Sequence, residues 1–79
     1  METHANVLQV SRELNTRNGN PRWMLLIGNK PGTAECFYTP CNANWVQAHD
    51  WHAFVGRRVK VDHRLVRGKH TIERIRICL

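Results

Sequence analysis

Two cysteines and two histidines in the middle of the chain form the nearest approach to a metal site. Cys36 and Cys41 precede His49 and His52, which together offer the thiolate and imidazole donors that tetrahedral zinc prefers. In zinc fingers with these donors, about 12 residues separate the two pairs and 3 to 5 separate the histidines. Both spacings are shorter here. We therefore expect no metal, and we interpret both histidines as packed or partly exposed helical residues.

No residue set has the pattern of a catalytic site. His63 lies among the inward positions of a predicted strand, without a serine, cysteine or carboxylate at a recognisable spacing. Nucleophilic catalysis needs a nucleophile, a base and an orienting group. The stretch Gly28–Gly32 is not a phosphate loop, because Pro31 removes an N–H donor and no Gly-Lys-Ser/Thr follows. We expect a protein that is not an enzyme and needs no cofactor.

The net charge of the chain is confined to its C-terminal region. Residues 57–79 contain eight lysines and arginines against two acidic residues, whereas residues 1–56 contain four of each sign. A basic surface at one end of a small domain favours association with polyanions, since every neutralised phosphate releases condensed counterions. This asymmetry points to a binding protein with an acidic partner.

Alternation predicts that these cations share a surface. The expected binding residues are Arg58, Lys60 and Arg64 on one strand, Arg74 and Arg76 on the next, and Arg67 and Lys69 at the tip between them. Single strands bind such grooves when exposed aromatics offer stacking platforms. Trp23, Phe37 and Tyr38 are the candidates, and Tyr38 is the one not needed for the core. We expect single-stranded nucleic acid, DNA or RNA, with little sequence preference. An acidic partner protein is the alternative, and a merely solubilising face is the third interpretation.

Turn residues divide the chain into five predicted strands. Asn18-Gly19 is typical of a tight hairpin, Asn29-Lys30-Pro31-Gly32 of a type II turn, and Arg67-Gly68-Lys69 of a further reversal. Leu8, Val10 and Leu14 share one parity before the first turn, as in a half-buried strand. The other predicted strands are Trp23–Ile27, about Ala34–Thr39, Val59–Leu65 and Thr71–Ile77. Ile72 and Ile75 differ in parity, which predicts a bulge near Glu73.

The hydrophobic period changes once, between Pro40 and Gly56. One helical face there holds Trp45, Ala48, Trp51, His52 and Val55. Asn42 or Asn44 is placed to cap the start of this short helix, and Gly56 to end it in the left-handed conformation.

The predicted order is therefore β-β-β-α-β-β in a single domain, residues 1–79, that is mainly β with one short helix. The segments from Trp51 to His63 and from Thr71 to Ile75 resemble the helix end, glycine, basic strand and isoleucine-rich closing strand of small OB-fold proteins. That resemblance implies a five-stranded Greek-key barrel. A small SH3-like barrel is the competing architecture. In size and style the chain also resembles short basic proteins of phages and plasmids.

The length and composition of the chain limit the size of its core, its ability to span a membrane and its location. A chain of 79 residues buries only about 60% of its unfolded surface, so we expect a small core. The longest apolar run, Trp23–Ile27, is far shorter than a membrane span. Three cysteines in a chain whose start has no signal-peptide pattern favour reduced thiols and a cytoplasmic location.

Overall fold

Five strands close into a barrel in the computed structural model, which describes residues 1–79. The elements in chain order are β1 (Glu2–Glu13), β2 (Arg22–Gly28), β3 (Glu35–Tyr38), α1 (Ala43–Gln47), β4 (Arg58–Val66) and β5 (Lys69–Ile77), with 3₁₀ turns at Pro31–Thr33 and Trp51–Phe54. The strands pair around the barrel in the order β1-β2-β3-β5-β4, and β4 closes it against β1. The contact between β3 and β5 is parallel, and all others are antiparallel. This architecture fits the predicted small barrel of OB or SH3 type.

The first strand serves both sides of the closure. Its first half, Glu2–Asn6, pairs with β4, and its second half pairs with β2. The two halves meet at Asn6, and a register shift between Val7 and Gln9 then interrupts the pairing with β2; bulges of this kind bend a strand. The bulge reverses the parity of β1, so Ala5 and Val7 are buried before it and Val10 packs on the core after it. The sequence predicted that Leu8, Val10 and Leu14 face the core. This prediction is wrong for Leu8 and Leu14 and holds for Val10. Leu14 is 92% exposed in the loop beyond the strand.

The core consists of inward side chains from every strand and from the segment after β3. Its buried hydrophobic members are Ala5, Val7, Leu25, Ile27, Phe37, Val46, Trp51, Phe54, Val59, Val61, Ile72 and Ile75. The bulge predicted near Glu73 is confirmed, because the β4–β5 register shifts between Asp62 and His63, where Glu73 is the unpaired residue. That shift keeps Ile72 and Ile75 both inside the barrel.

The helical segment is split in two, where one helix was expected. Asn42 caps α1 by accepting a hydrogen bond from the Trp45 N–H at 3.2 Å, as predicted. The helix ends at Gln47, and Trp51 begins a separate 3₁₀ turn whose indole N–H donates to the Val46 carbonyl at 2.9 Å. Because the axis changes, the expected common face fails: Ala48, His52 and Val55 are exposed. The two short turns together cover one end of the barrel.

Turn geometry departs from expectation at two sites. The segment around Asn18-Gly19 is a loop spanning residues 14–21, in which only Gly19 has positive φ. Pro31 begins a 3₁₀ turn, and Gly32 does not have the positive φ of a type II turn. The turn after β4 follows the prediction, since Gly68 has φ near +77°. Gly56 has the expected positive φ, near +80°, but it follows the 3₁₀ turn and not the helix. None of the helices has the length and apolar composition needed to cross a bilayer.

Candidate nucleic-acid interface

The predicted basic strip lies on the outside of the β4–β5 hairpin. Val59, Val61 and His63 are buried, so the alternate residues of β4 face outward. Lys60 pairs with Arg76 across the hairpin. Alternation thus brings the strand cations to one surface; they are Arg58, Lys60, Arg64, Arg74 and Arg76.

Two carboxylates divide that strip. Asp62 lies between Lys60 and Arg64 on β4, and its Oδ2 is 3.6 Å from Nε of Arg74. Glu2 of β1 lies 3.6 Å from Nζ of Lys60. A hydrogen bond from His4 lowers the pKa of Glu2, so this carboxylate stays charged near neutrality. Exposed ion pairs of this kind contribute little to stability. The strip is a mixed-charge surface and not a continuous cationic track.

Tyr38 lies on a different part of the barrel wall, between cations from two other strands. The guanidinium carbon of Arg22 is 4.4 Å from the ring centroid of Tyr38, and Nζ of Lys69 is 5.3 Å from it. Arg22 begins β2 directly after the long loop, and Lys69 begins β5 after the hairpin turn. The structure therefore brings Tyr38 together with Lys69, two residues that the sequence assigned to binding separately, and adds Arg22. The alternation of β2 around buried Leu25 would have placed Arg22 outward, but nothing local in the sequence relates it to Tyr38.

The other two aromatic candidates are less available. Phe37 is buried inside the barrel and cannot stack on a ligand. Trp23 packs partly on the core at the barrel end. The guanidinium carbon of Arg12 is 5.9 Å from the ring centroid of Trp23. Trp23 lines an open groove of about 340 Å³ beside the 3₁₀ turn Trp51–Phe54. Tyr38 remains the aromatic that is flanked by cations on the outer wall.

A second groove lies between the start of α1 and the β4–β5 hairpin. It has a volume of about 260 Å³ and is lined by Pro40, Asn42, Trp45, Arg64, Thr71, Ile72 and Glu73. Thr71 pairs with Tyr38 on one side and with Arg64 on the other, so Tyr38, Thr71 and Arg64 form one row across three strands. Sequence reasoning assigned Trp45 to a core-facing helix surface. The structure leaves it half-buried beside this row.

The hairpin tip projects the remaining predicted cation. Arg67 has φ of +54° and Gly68 has φ of +77°, the pair of left-handed residues that a two-residue hairpin turn of type I′ requires. Arg67 is exposed there and has no carboxylate within ion-pair distance. Arg22, Arg64 and Lys69 likewise have no carboxylate within ion-pair distance.

The cysteines and helical histidines do not form a metal site. Cys36 and Cys41 are exposed. Nδ1 of His49 lies 2.7 Å from the Trp45 carbonyl, and its ring stacks on Trp51 at 5.0 Å. No group of three or more His, Cys, Asp or Glu side chains is placed to hold a metal ion. His49 is thus a packing residue of the helical segment.

Comparison with known proteins finds no relative of this chain. No family model, curated protein or solved structure matches the chain.

Proposed function

We propose that the protein binds single-stranded nucleic acid with little sequence preference on the face formed by β2, β3 and β5. The observation that carries this proposal is the position of Tyr38 between Arg22 and Lys69. Any of the bases can stack on an aromatic ring, so stacking requires no particular sequence. Cations that flank the ring bind the phosphates on either side of the stacked base. Lys69 lies farther from the ring than Arg22. A base can therefore displace the Lys69 ammonium from the ring of Tyr38. The long side chain of Lys69 can then bind a phosphate.

The charge around Tyr38 supports the same face. Arg22 and Lys69 beside Tyr38 have no carboxylate partner, whereas Lys60 and Arg74, two of the five strand cations of the predicted strip, do. A phosphate that binds an unpaired cation does not have to displace a protein carboxylate. In OB-folds, the face of strands 2 and 3 and the loops joining strands 1–2 and 4–5 bind oligonucleotides. Tyr38 lies on that face, and its two cations stand at the bases of those loops.

The row from Tyr38 through Thr71 to Arg64 gives the ligand a direction. A strand stacked on Tyr38 would cross the parallel β3–β5 contact and reach the groove beside Trp45. Arg64 lies at the entrance of this groove, where its guanidinium can bind the next phosphate. This path assigns the main contacts to Tyr38, Arg22, Lys69 and Arg64. The cations Arg58, Arg74 and Arg76 then lie off this path and do not contact the ligand.

An oligothymidine labelled with fluorescein tests the proposal by anisotropy at several salt concentrations, starting near 50 mM. Tyr38→Ala should weaken binding by about 1 to 3 kcal/mol with an almost unchanged salt slope, because stacking releases no counterions. Arg22→Gln or Lys69→Gln should each lower the slope by about 0.7. Tyr38→Phe keeps the ring and should bind as the wild type does. Arg58→Gln, on the other surface, is the matched charge control and should leave the slope nearly unchanged.

The alternative, an acidic partner protein, needs the cations but no stacking ring. Polyglutamate of matched charge is the competitor that separates the two. If it displaces the oligonucleotide completely and Tyr38→Ala binds like the wild type, the surface recognises charge alone and the alternative replaces the proposal. Absence of any binding by the wild type near 50 mM salt overturns the nucleic-acid function itself.

A further inference from the structure

The bulge in β5 directs an acidic side chain into the groove beside α1. Glu73 is the residue of β5 that has no partner on β4. Ile72 and Ile75 on either side of the bulge are buried, so Glu73 and Arg74 follow each other on the outside of the barrel. The two side chains diverge there: Glu73 lines the groove beside Trp45, whereas Arg74 lines a separate cleft on the hairpin. Bulges often redirect a side chain in this way next to a functional site.

The Glu73 carboxylate has no cationic partner in the structure. Glu73 is exposed and forms no ion pair, not even with Arg64, which lines the same groove. Asp62, by contrast, pairs with Arg74. A free carboxylate repels the phosphates of a strand that follows the row from Tyr38 to Arg64. Glu73 therefore weakens the binding of such a strand unless a base supplies it with hydrogen-bond donors.

The groove around Glu73 has the lining that a base requires. Its volume of about 260 Å³ is below the roughly 300 Å³ at which pockets for drug-sized ligands begin, which suits one base. Trp45 is half-buried and provides an aromatic surface. Asn42 accepts the Trp45 N–H with its Oδ1, which leaves the side-chain NH₂ group to donate. The groove thus combines an aromatic surface, a donor and an ionic acceptor.

Guanine is the base whose Watson–Crick edge matches these groups. It presents two adjacent donors, N1–H and the N2 amino group, next to the O6 acceptor. The two oxygens of a carboxylate can accept from both donors at once, and such charge-assisted hydrogen bonds are about twice as strong as neutral ones. Cytosine and adenine place a ring-nitrogen acceptor beside their amino group, and thymine and uracil flank their single N–H with two carbonyls. Each of these bases sets an acceptor against the carboxylate.

We propose that Trp45, Asn42 and Glu73 form a guanine subsite, in which Glu73 accepts both donors of the Watson–Crick edge. The inference rests on the proposed function, because the guanine belongs to a strand that is already held at Tyr38 and Arg64. The rest of the path offers only stacking and phosphate contacts, so base identity matters at this one position. The preferred ligand is a single strand with a guanine on the Arg64 side of the stacked base.

Two fluorescein-labelled oligonucleotides of about nine nucleotides, a length within the site size of such barrels, test the subsite by anisotropy near 50 mM salt. One contains only thymidine, and the other has a single central guanine. We expect the guanine oligonucleotide to bind about fivefold more tightly or better, the lower end for a bidentate contact to a base. A third oligonucleotide carries inosine, which lacks the N2 amino group, and should lose most of that gain. This comparison uses the wild-type protein alone.

Two variants then assign the preference to the carboxylate. Glu73→Gln should remove the guanine preference and bind oligothymidine at least as tightly as the wild type, because the repulsion of phosphates is relieved. Asp62→Asn is the matched control, since it removes the same charge from a carboxylate outside the groove. It should leave the ratio of the two affinities unchanged.

The outcomes separate the subsite from the proposed function. Equal binding of the thymidine and guanine oligonucleotides by the wild type overturns the subsite and leaves the proposed function standing. The subsite is also refuted if inosine binds as tightly as guanine, or if Glu73→Gln keeps the guanine preference. Absence of binding to any of the oligonucleotides overturns the proposed function, and the subsite with it.

Discussion

Trp51 gives the sharpest test of how the short helical segment closes the barrel. Its side chain is 2% exposed and packs between Trp45 and Phe54, with ring centroids 5.6 Å away in each case. Truncating a buried tryptophan to alanine destabilises by about 3 to 5 kcal/mol. The substitution also removes the indole donor from the Val46 carbonyl, a bond that contributes about 0.5 to 1.5 kcal/mol. We expect Trp51→Ala to lower the free energy of unfolding by about 4 kcal/mol.

That loss is large for this protein. A chain of 79 residues is stable by about 4 to 12 kcal/mol at 0.05 to 0.15 kcal/mol per residue. Urea unfolding followed by circular dichroism at 222 nm measures the change without relying on tryptophan fluorescence. Trp51→Phe retains an aromatic ring and should lose about 1 to 3 kcal/mol. Trp45→Ala is the matched control, since Trp45 is only half-buried and should matter less than Trp51. A loss below about 1.5 kcal/mol for Trp51→Ala, or a larger loss for Trp45→Ala, refutes the packing argument.

Three further perturbations test other parts of the fold. Gly28→Ala should destabilise by about 1 to 3 kcal/mol, because its Cβ would lie 2.7 Å from the backbone Cα of Ala34; Gly32→Ala, whose Cβ meets nothing within 4 Å, should be nearly neutral in chemical denaturation. Burial lowers the folded-state pKa of His63, so the unfolded chain binds more protons; stability should fall as pH drops below about 6.5 and level off below the folded pKa, whereas a flat profile of Tm against pH contradicts this. Deleting Thr71–Leu79 should abolish folding, because it removes the strand that pairs with both β3 and β4, and a soluble, cooperatively unfolding truncation contradicts the barrel.

Features that depend on neighbouring residues were predictable from the sequence. The alternation of Val59 and Val61 with charged residues identified the inner face of β4, since the side-chain period of a strand is a local property. Asn42 caps α1 and Gly56 ends its segment in the left-handed conformation for equally local reasons. The parity change near Glu73 indicated the bulge. Together with the order of elements, these features were enough to predict a small five-stranded barrel.

Two local patterns misled because tertiary contacts overrode them. The single row expected in β1 was wrong because the bulge between Val7 and Gln9, within the pairing with β2, reverses which residues face the core. The single helix was wrong because Trp51 and Phe54 must reach the barrel end from a short connection. A 3.6-residue period accommodates either arrangement, and only packing decides between them.

By itself, the sequence determined the number of strands, the inner faces of β4 and β5, the positive φ of Gly56 and Gly68, and the concentration of positive charge in the last two strands. Each follows from side-chain period, backbone sterics or composition over a few residues. Only the tertiary structure decided that Arg22 and Lys69 flank Tyr38, that Asp62 and Glu2 divide the basic strip, and that His63 meets His70. Those contacts join strands that are distant in the chain. They arise from barrel closure, whose register is set by packing the whole core at once.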